Sequence, residues 1–350
     1  MKSNILSEDF DNILNSELDV DEFKDQHFFI TGATGLIGSL LVKFLIYANK
    51  IRSLNIEIYA MIRNTDKAKR IYKNYDLSHV HFVIAHLGQN DLKCDAQIDY
   101  IIHPAAITQS KLMIHKPIET IQTAVNGTEE ILKFATLKNV KSMVYVSSME
   151  VYGNINKKNK VIEQDLGFID LTSARSSYPE SKRMGELLCT AYSDECHLNV
   201  KIARLAQTFG AGVLSSENRV FAQFAKSVIN NQNIILHTTG ISEGNYIYTA
   251  DVVKGLLFLL IKGSTKEAYN ISNENNHMTI KEMANLVIDN FGSLSEKVVI
   301  DIPKENMGYA PDVHLWLSNK KMKELGWKPT YDMYQSYKRM IDWMKIEGMK

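Results

Sequence analysis

Short apolar runs alternate with longer amphipathic stretches from Gln26 onward. The runs QHFFIT (26–31), EIYAMI (57–62), VHFVIA (80–85), YIIHPAA (100–106) and SMVYVSS (142–148) are rich in β-branched and aromatic residues and predict strands. Between them, GLIGSLLVKFLIYAN (35–49) and PIETIQTAVNGTEEILKFATL (117–137) repeat their apolar positions at helical spacing. Strand and helix in alternation imply right-handed crossovers and a doubly wound parallel sheet, an α/β fold of the Rossmann type. Past the polar loop NINKKNK (154–160), a helix is predicted from about Tyr178 to Tyr192, then the strand NVKIARLA (199–206). The remaining elements are shorter: helices over 219–231, 251–262, 279–291 and 332–346, and strands at IILH (234–237) and AYNIS (268–272). This half reads as a smaller α/β cap. Ahead of the first strand, Ile5, Phe10, Ile13, Leu14 and Leu18 stand at near-helical spacing among acids and predict a helical prefix. The expected organisation is a helical extension over 1–26, a dinucleotide-binding domain over 27–208, and a mainly substrate-binding cap over 209–350. The chain is expected to cross back to the first domain around 245–272, with a cleft between the two parts.

Composition narrows the partners. Forty basic and forty acidic residues cancel, so nothing favours nucleic acid or an anionic membrane surface, and a small ligand is expected. The 350 residues, 45% of them hydrophobic, can bury a sizeable core. No run approaches the roughly 18 uncharged apolar residues that span a bilayer. The acidic start MKSNILSEDFDNILNSELD is unlike a signal peptide, so a cytoplasmic location is expected. Cys94, Cys189 and Cys196 fit neither a disulfide framework nor a metal site; they are expected as packing residues, and no metal is expected.

The run TGATGLIG sets Gly32, Gly35 and Gly38 between the first strand and its helix. The first glycine permits the tight turn, the second lets backbone approach a pyrophosphate, and the third lets helix pack on strand. Amides at the helix start then stabilise the phosphate charge. At the end of the second strand, where an acid usually meets the adenosine ribose, stands Arg63, followed by Lys67, Lys69 and Arg70. A guanidinium there suits a 2′-phosphate, so NADP is favoured over NAD. The alternative is a solvated basic helix start.

Tyr178 and Lys182, in YPESK, lie four apart and so on one helix face, with Pro179 suited to the first turn. A phenol is a poor base at neutral pH, but a nearby ammonium favours its phenolate. Lys182 can also hold the nicotinamide ribose. Ser147 and Ser148 reach the carboxyl end of the sheet, where a hydroxyl can hold the substrate oxygen while its proton moves to Tyr178. Glu150, two residues on, is a candidate base for a carbon beside a ketone; the plainer alternative is a turn cap or an ion pair with Arg175, Arg183 or Arg204.

With these residues in this order, the chain resembles the extended short-chain dehydrogenase/reductase family, in its branch of nucleotide-sugar epimerases, dehydratases and decarboxylases. The resemblance runs from about 27 to 346, through TGATGLIG, HPAA (103–106), NGT (126–128), SSMEVYG (147–153), YPESK (178–182) and LGW with a following KP (325–329). Within that branch it resembles UDP-glucuronate decarboxylases and GDP-mannose dehydratases, whose SSMEVYG-like segment also carries a glutamate before Val-Tyr-Gly. The resemblance implies a catalytic group of Ser148, Tyr178, Lys182 and Glu150. It implies a cofactor site of Gly32, Thr34, Gly35, Leu36, Ile37, Gly38, Arg63, His86, Leu87, Pro104, Ala105 and Ala106 with Tyr178 and Lys182. Asn126 would buttress the active-site helix, and Arg204 would sit on the following strand. For a nucleotide-sugar substrate it implies Ser148, Met149, Glu150, Gln207, Arg219, Asn245 and His314, and for the assembly a homodimer.

Departures from the family pattern are informative. His86 stands where an aspartate normally touches adenine, Gln207 where asparagine is usual, and Met149 where dehydratases often carry an aspartate. Arginines commonly aimed at the diphosphate are replaced near Gly244–Asn245 and Ala310. Three functions stay open: an epimerase or dehydratase acting through a transient keto-sugar, an NADPH-dependent keto-sugar reductase, and a catalytically silent dinucleotide sensor on the same fold.

Overall fold

The computed structural model describes residues 5–107, 110–155, 157, 159–303 and 313–349, with 110–112 as backbone alone. Each apolar run forms a strand of one parallel sheet: β1 (His27–Ile30), β2 (Glu57–Ile62), β3 (Val80–Ile84), β4 (Tyr100–His103), β5 (Ser142–Ser148) and β6 (Val200–Leu205). Their order is β6-β5-β4-β1-β2-β3. The order reverses between β1 and β4, and such a reversal opens a crevice at the carboxyl ends of the strands. The helices of this part are α1 (Ile5–Leu14), α2 (Leu36–Arg52), α3 (Thr65–Tyr72), α4 (Ser110–His115), α5 (Pro117–Leu137) and α6 (Ser177–Cys196). Pro117 opens α5, where its missing N–H costs nothing.

Beyond β6 the chain builds the cap. Strand β7 (Gln207–Phe209) pairs with β9 (Glu243–Tyr248), and α7 (Val220–Ile229) and β8 (Ile234–Leu236) lie between them. Helix α8 (Thr249–Lys262) and β10 (Ala268–Ile271) then return to the main sheet, β10 pairing parallel to β6 as its seventh strand. The cap resumes with β11 (His277–Thr279), antiparallel to β9, then α9 (Ile280–Phe291), β12 (Val298–Ile300) paired with β8, α10 (Lys320–Glu324) and α11 (Met333–Ile346). Helices α9 and α11 each start at a capping box, Thr279 with Glu282 and Asp332 with Gln335, which satisfies otherwise orphaned backbone donors.

The prefix helix is part of the main core. Leu6, Phe10, Ile13 and Leu14 of α1 are buried in it. Asp9 is buried too, accepting from Arg339 Nε at 2.8 Å, the Tyr248 hydroxyl at 2.7 Å and the Tyr331 hydroxyl at 2.8 Å. Burial raises its carboxyl to about 6, against the pull of Arg339 and the two phenols. Two expectations need correction. The helix carrying Tyr178 begins at Ser177 and runs on to Cys196. Of the cysteines, Cys189 is buried and Cys94 is partly buried against the same core, but Cys196 is exposed at a helix end, so packing accounts for two of three. Among the described residues no helix is long and apolar enough to cross a membrane.

Candidate active site

The glycine turn is sterically obligatory. Gly32 has φ +57°, and a Cβ there would stand 3.0 Å from Ala105. A Cβ on Gly38 would lie 2.3 Å from the Gly32 carbonyl oxygen, so α2 can close on β1 only through glycine. Next to this turn the buried Thr31 hydroxyl accepts from the Ala105 amide at 3.2 Å and meets His103 Nδ1 at 2.7 Å. A cleft of about 940 Å³ opens above, lined by Gly32, Thr34, Gly35, Leu36, Ile37, Gly38, Arg63, His86, Leu87, Pro104, Ala105 and Ala106. Its size, the glycine-only turn and the free start of α2 fit a dinucleotide. Arg63 follows β2 directly and has no ion-pair partner among the described residues. Lys67 joins it in the lining; burial and the charges of Arg63 and Arg70 lower its ammonium. His86 lines the cleft while held by Asp91, its amide donating at 2.7 Å and its Nδ1 lying 2.9 Å away.

Strand β5 carries Ser148 to the same cleft, and α6 presents Tyr178 and Lys182, both buried, from the facing wall. The helix lies tightly on the sheet because residue 185 is glycine: a Cβ there would be 2.2 Å from the Tyr145 hydroxyl oxygen. Lys182 Nζ donates to the Val146 carbonyl at 2.7 Å and lies 6.0 Å from the Tyr178 ring centre. Burial lowers its ammonium to about 8, partly offset by Glu186. The neighbouring His103 is driven down to about 3 by burial and by Lys182, and so stays neutral. Burial, then the Glu150 charge, pushes the Tyr178 phenol up, while a hydrogen bond with Ser148 and the charges of Arg175 and Arg219 pull it down. Beneath the helix, Glu186 accepts from the Ser147 hydroxyl at 2.6 Å and from Arg204 Nη2 at 2.6 Å.

Glu150 lines the cleft and also accepts from Arg175 Nη2 at 2.8 Å, so it faces the ligand space within an ion pair. Met149, Gln207, Arg219 and Asn126 line the cleft as well. Arg219 is held by Glu217 through Nε at 3.0 Å and Nη2 at 2.7 Å. Two expected substrate residues are corrected. Asn245 is fully buried away from the cleft, its amide donating to the Asn273 carbonyl and accepting from the Leu317 amide. His314 is exposed, stands outside the lining and lies 3.3 Å from Glu243. Ala310 falls outside the described residues. Arg204 is on β6 as expected, buried with Glu186 and not in the cleft. Sequence reasoning named Arg175 only as a possible partner of Glu150, a pairing the structure bears out, and did not name Tyr246 and Ile280, which the cap brings into the lining.

The sequence model of the NAD dependent epimerase/dehydratase family matches residues 28–272, from β1 through the seventh strand. The chain belongs to this family. It is an enzyme fold with NAD chemistry in its family description, in keeping with the glycine turn and the Tyr178–Lys182 face. Among curated members, mouse dTDP-D-glucose 4,6-dehydratase is 26% identical over 333 residues, covering 90% of this chain and 88% of the relative. Zebrafish UDP-glucuronic acid decarboxylase 1 is 24% identical over 326 residues, covering 92% and 73%. Among solved structures, UDP-glucose 4-epimerase from Thermotoga maritima, with UDP-glucose, superposes with a TM-score of 0.77 at 20% identity, covering 93% of this chain and 100% of that one. dTDP-glucose 4,6-dehydratase from Bacillus anthracis, in complex with NAD, gives 0.74 at 21% identity, covering 91% and 96%. These structures share the fold.

Proposed function

We propose that this enzyme is a nucleotide-sugar epimerase or dehydratase that oxidises a substrate hydroxyl transiently, performs acid/base chemistry beside the resulting ketone and then returns the hydride to the sugar. The observation that carries this is the presence of Glu150 in one cleft with Ser148, Tyr178 and Lys182. A plain reductase needs no carboxylate there. When bound, NAD(P) supplies the acceptor and later the donor of the hydride. The Ser148 hydroxyl holds the substrate oxygen, and Tyr178 takes its proton. Lys182 supplies the nearby positive charge that favours the phenolate. Glu150 removes the proton from the neighbouring carbon, made acidic by the ketone. Met149 offers no acid to a leaving hydroxyl, which favours epimerisation over elimination. The nucleotide-sugar class is inferred from the relatives, with Gln207 and Arg219 as its contacts.

Arg63, without an ion-pair partner among the described residues and with Lys67 beside it in the lining, supports NADP over NAD. A homodimer across α5 and α6 is supported by the exposed Ile118 and Ile121 on one helix and Met184 and Leu187 on the other.

The test offers dTDP-glucose, UDP-glucose and UDP-glucuronate in deuterated water to the wild type and to Glu150→Gln. The base role requires Glu150→Gln to lose deuterium incorporation beside the ketone while still reducing its cofactor, and Tyr178→Phe to show neither incorporation nor reduction. Full activity in Glu150→Gln, with cofactor consumed and released, would instead identify the keto-sugar reductase that Arg63 also suits.

A further inference from the structure

A site that joins Glu150 to Tyr178 carries an electrostatic conflict. The phenol must ionise to accept the substrate proton, and a carboxylate in the same cleft opposes this. A like charge nearby disfavours the ionised form, just as an opposite charge within about 4–6 Å favours it, by about one to three units. The Glu150 charge does raise the Tyr178 phenol, second only to burial. The compensating group comes from the turn Ala174–Ser176, which leads into α6. Arg175 Nη2 lies 2.8 Å from Glu150 Oε2, both side chains are 32% exposed, and both line the cleft with Tyr178. Among the described residues no other hydrogen bond or ion pair holds this guanidinium. Glu150 is tethered at its other end, its amide donating to Ser148 Oγ at 3.2 Å.

We propose that Arg175 is a positioning residue: its ion pair fixes the Glu150 carboxylate on the cleft wall and offsets part of that charge at Tyr178, so that both proton-handling groups work in one site. Other groups also face the phenol, among them the buried Tyr145 of β5, whose own phenol is pushed up by burial. Ser148 reaches Tyr178 from β5 by a hydrogen bond, Arg219 from the start of α7 by charge, and Lys182 from its own helix, 6.0 Å from the ring centre. Arg219 is already paired with Glu217, and Lys182 is held by the Val146 carbonyl. Neither touches Glu150; Arg175 does. The inference rests on the reading that Tyr178 takes the substrate proton.

The experiment follows reduction of bound cofactor in a single turnover, across pH, after mixing with dTDP-glucose, UDP-glucose or UDP-glucuronate. The variants are Arg175→Met, Arg175→Lys, Glu150→Gln and the double Arg175→Met/Glu150→Gln. Arg175→Met should be about tenfold slower at neutral pH, with its half-maximal pH moved upward by about one unit, the effect of one uncompensated nearby charge. Arg175→Lys should stay near the wild type, and added guanidinium ion should restore Arg175→Met. The deciding result is the double variant: with the Glu150 charge gone, reduction should recover most of the rate lost in Arg175→Met. Without any sugar, the onset of Tyr178 ionisation should move the same way, read by ultraviolet difference against each variant's Tyr178→Phe counterpart. A double variant as slow as Arg175→Met, or an Arg175→Met profile identical to the wild type, overturns the proposal. If no probe reduces the wild-type cofactor, the nucleotide-sugar reading fails and takes this proposal with it. If Glu150→Gln keeps full deuterium incorporation while the double variant still recovers, only the base role falls.

Discussion

Single side chains set the chemistry of this site, and they differ in how openly the sequence displays them. Arg63 is legible because its position after a strand is local. Its substitution by alanine should lower affinity for NADP(H) by about tenfold or more and leave NAD(H) almost unchanged, since a charge-assisted hydrogen bond contributes about 1.5–3 kcal/mol. Calorimetric titration of both cofactors decides it; equal losses would return Arg63 to the role of a solvated surface cation. Tyr178 and Lys182 are legible for a similar reason, as four-residue spacing already places them on one helix face. Arg175 is legible only as one of three arginines that could pair with Glu150, because the two are 25 residues apart and no local rule chooses among Arg175, Arg183 and Arg204. Asn245 was misread for the converse reason. Its motif position suggested a ligand contact, but its amide bridges the Asn273 carbonyl and the Leu317 amide, a bond pattern visible only once the cap is folded.

The catalytic helix α6 works as an element because it is bound to the sheet at fixed points. Gly185 permits the approach, and the Glu186–Arg204 pair, with side chains 11% and 6% exposed, ties α6 to β6. Arg204 also donates to the Glu163 carbonyl at 2.6 Å and to the Tyr152 hydroxyl at 3.2 Å. Removing one member strands a buried charge. Arg204→Met should therefore cost about 3–5 kcal/mol in urea unfolding, whereas adding Glu186→Leu should recover much of it. A cost below about 1 kcal/mol for Arg204→Met, the range of exposed pairs, would show that this pair does not anchor the helix. The strands of the main sheet are readable as apolar runs, and the long helices α2 and α5 because they repeat their apolar positions over several turns. The elements α3, α4, β7, β9, β11, β12 and α10 are not, because each is short or interrupted by polar residues and has neither a sustained apolar run nor several turns of helical period.

At the scale of the molecule, exposed apolar residues on α5 and α6 are the surface that a second copy would cover. Light scattering at micromolar concentration should give about twice 39.8 kDa, and Leu187→Glu should return the mass to 39.8 kDa. A wild-type mass of 39.8 kDa would remove the dimer. The sequence alone determined what depends on neighbours along the chain: the parallel α/β architecture, the glycine turn and the Tyr178–Lys182 face. These follow from period and local sterics, which a few adjacent residues express. Only the tertiary structure decided which parts of the cap close the cleft, with Tyr246 from β9 and Ile280 from α9. It also decided which arginine meets Glu150, namely Arg175, and that the buried Asp9 of the prefix meets the partly exposed Arg339, 330 residues away, in an ion pair. Such contacts arise when separate elements pack, and a hydrophobic period states that a face will be buried without stating against what.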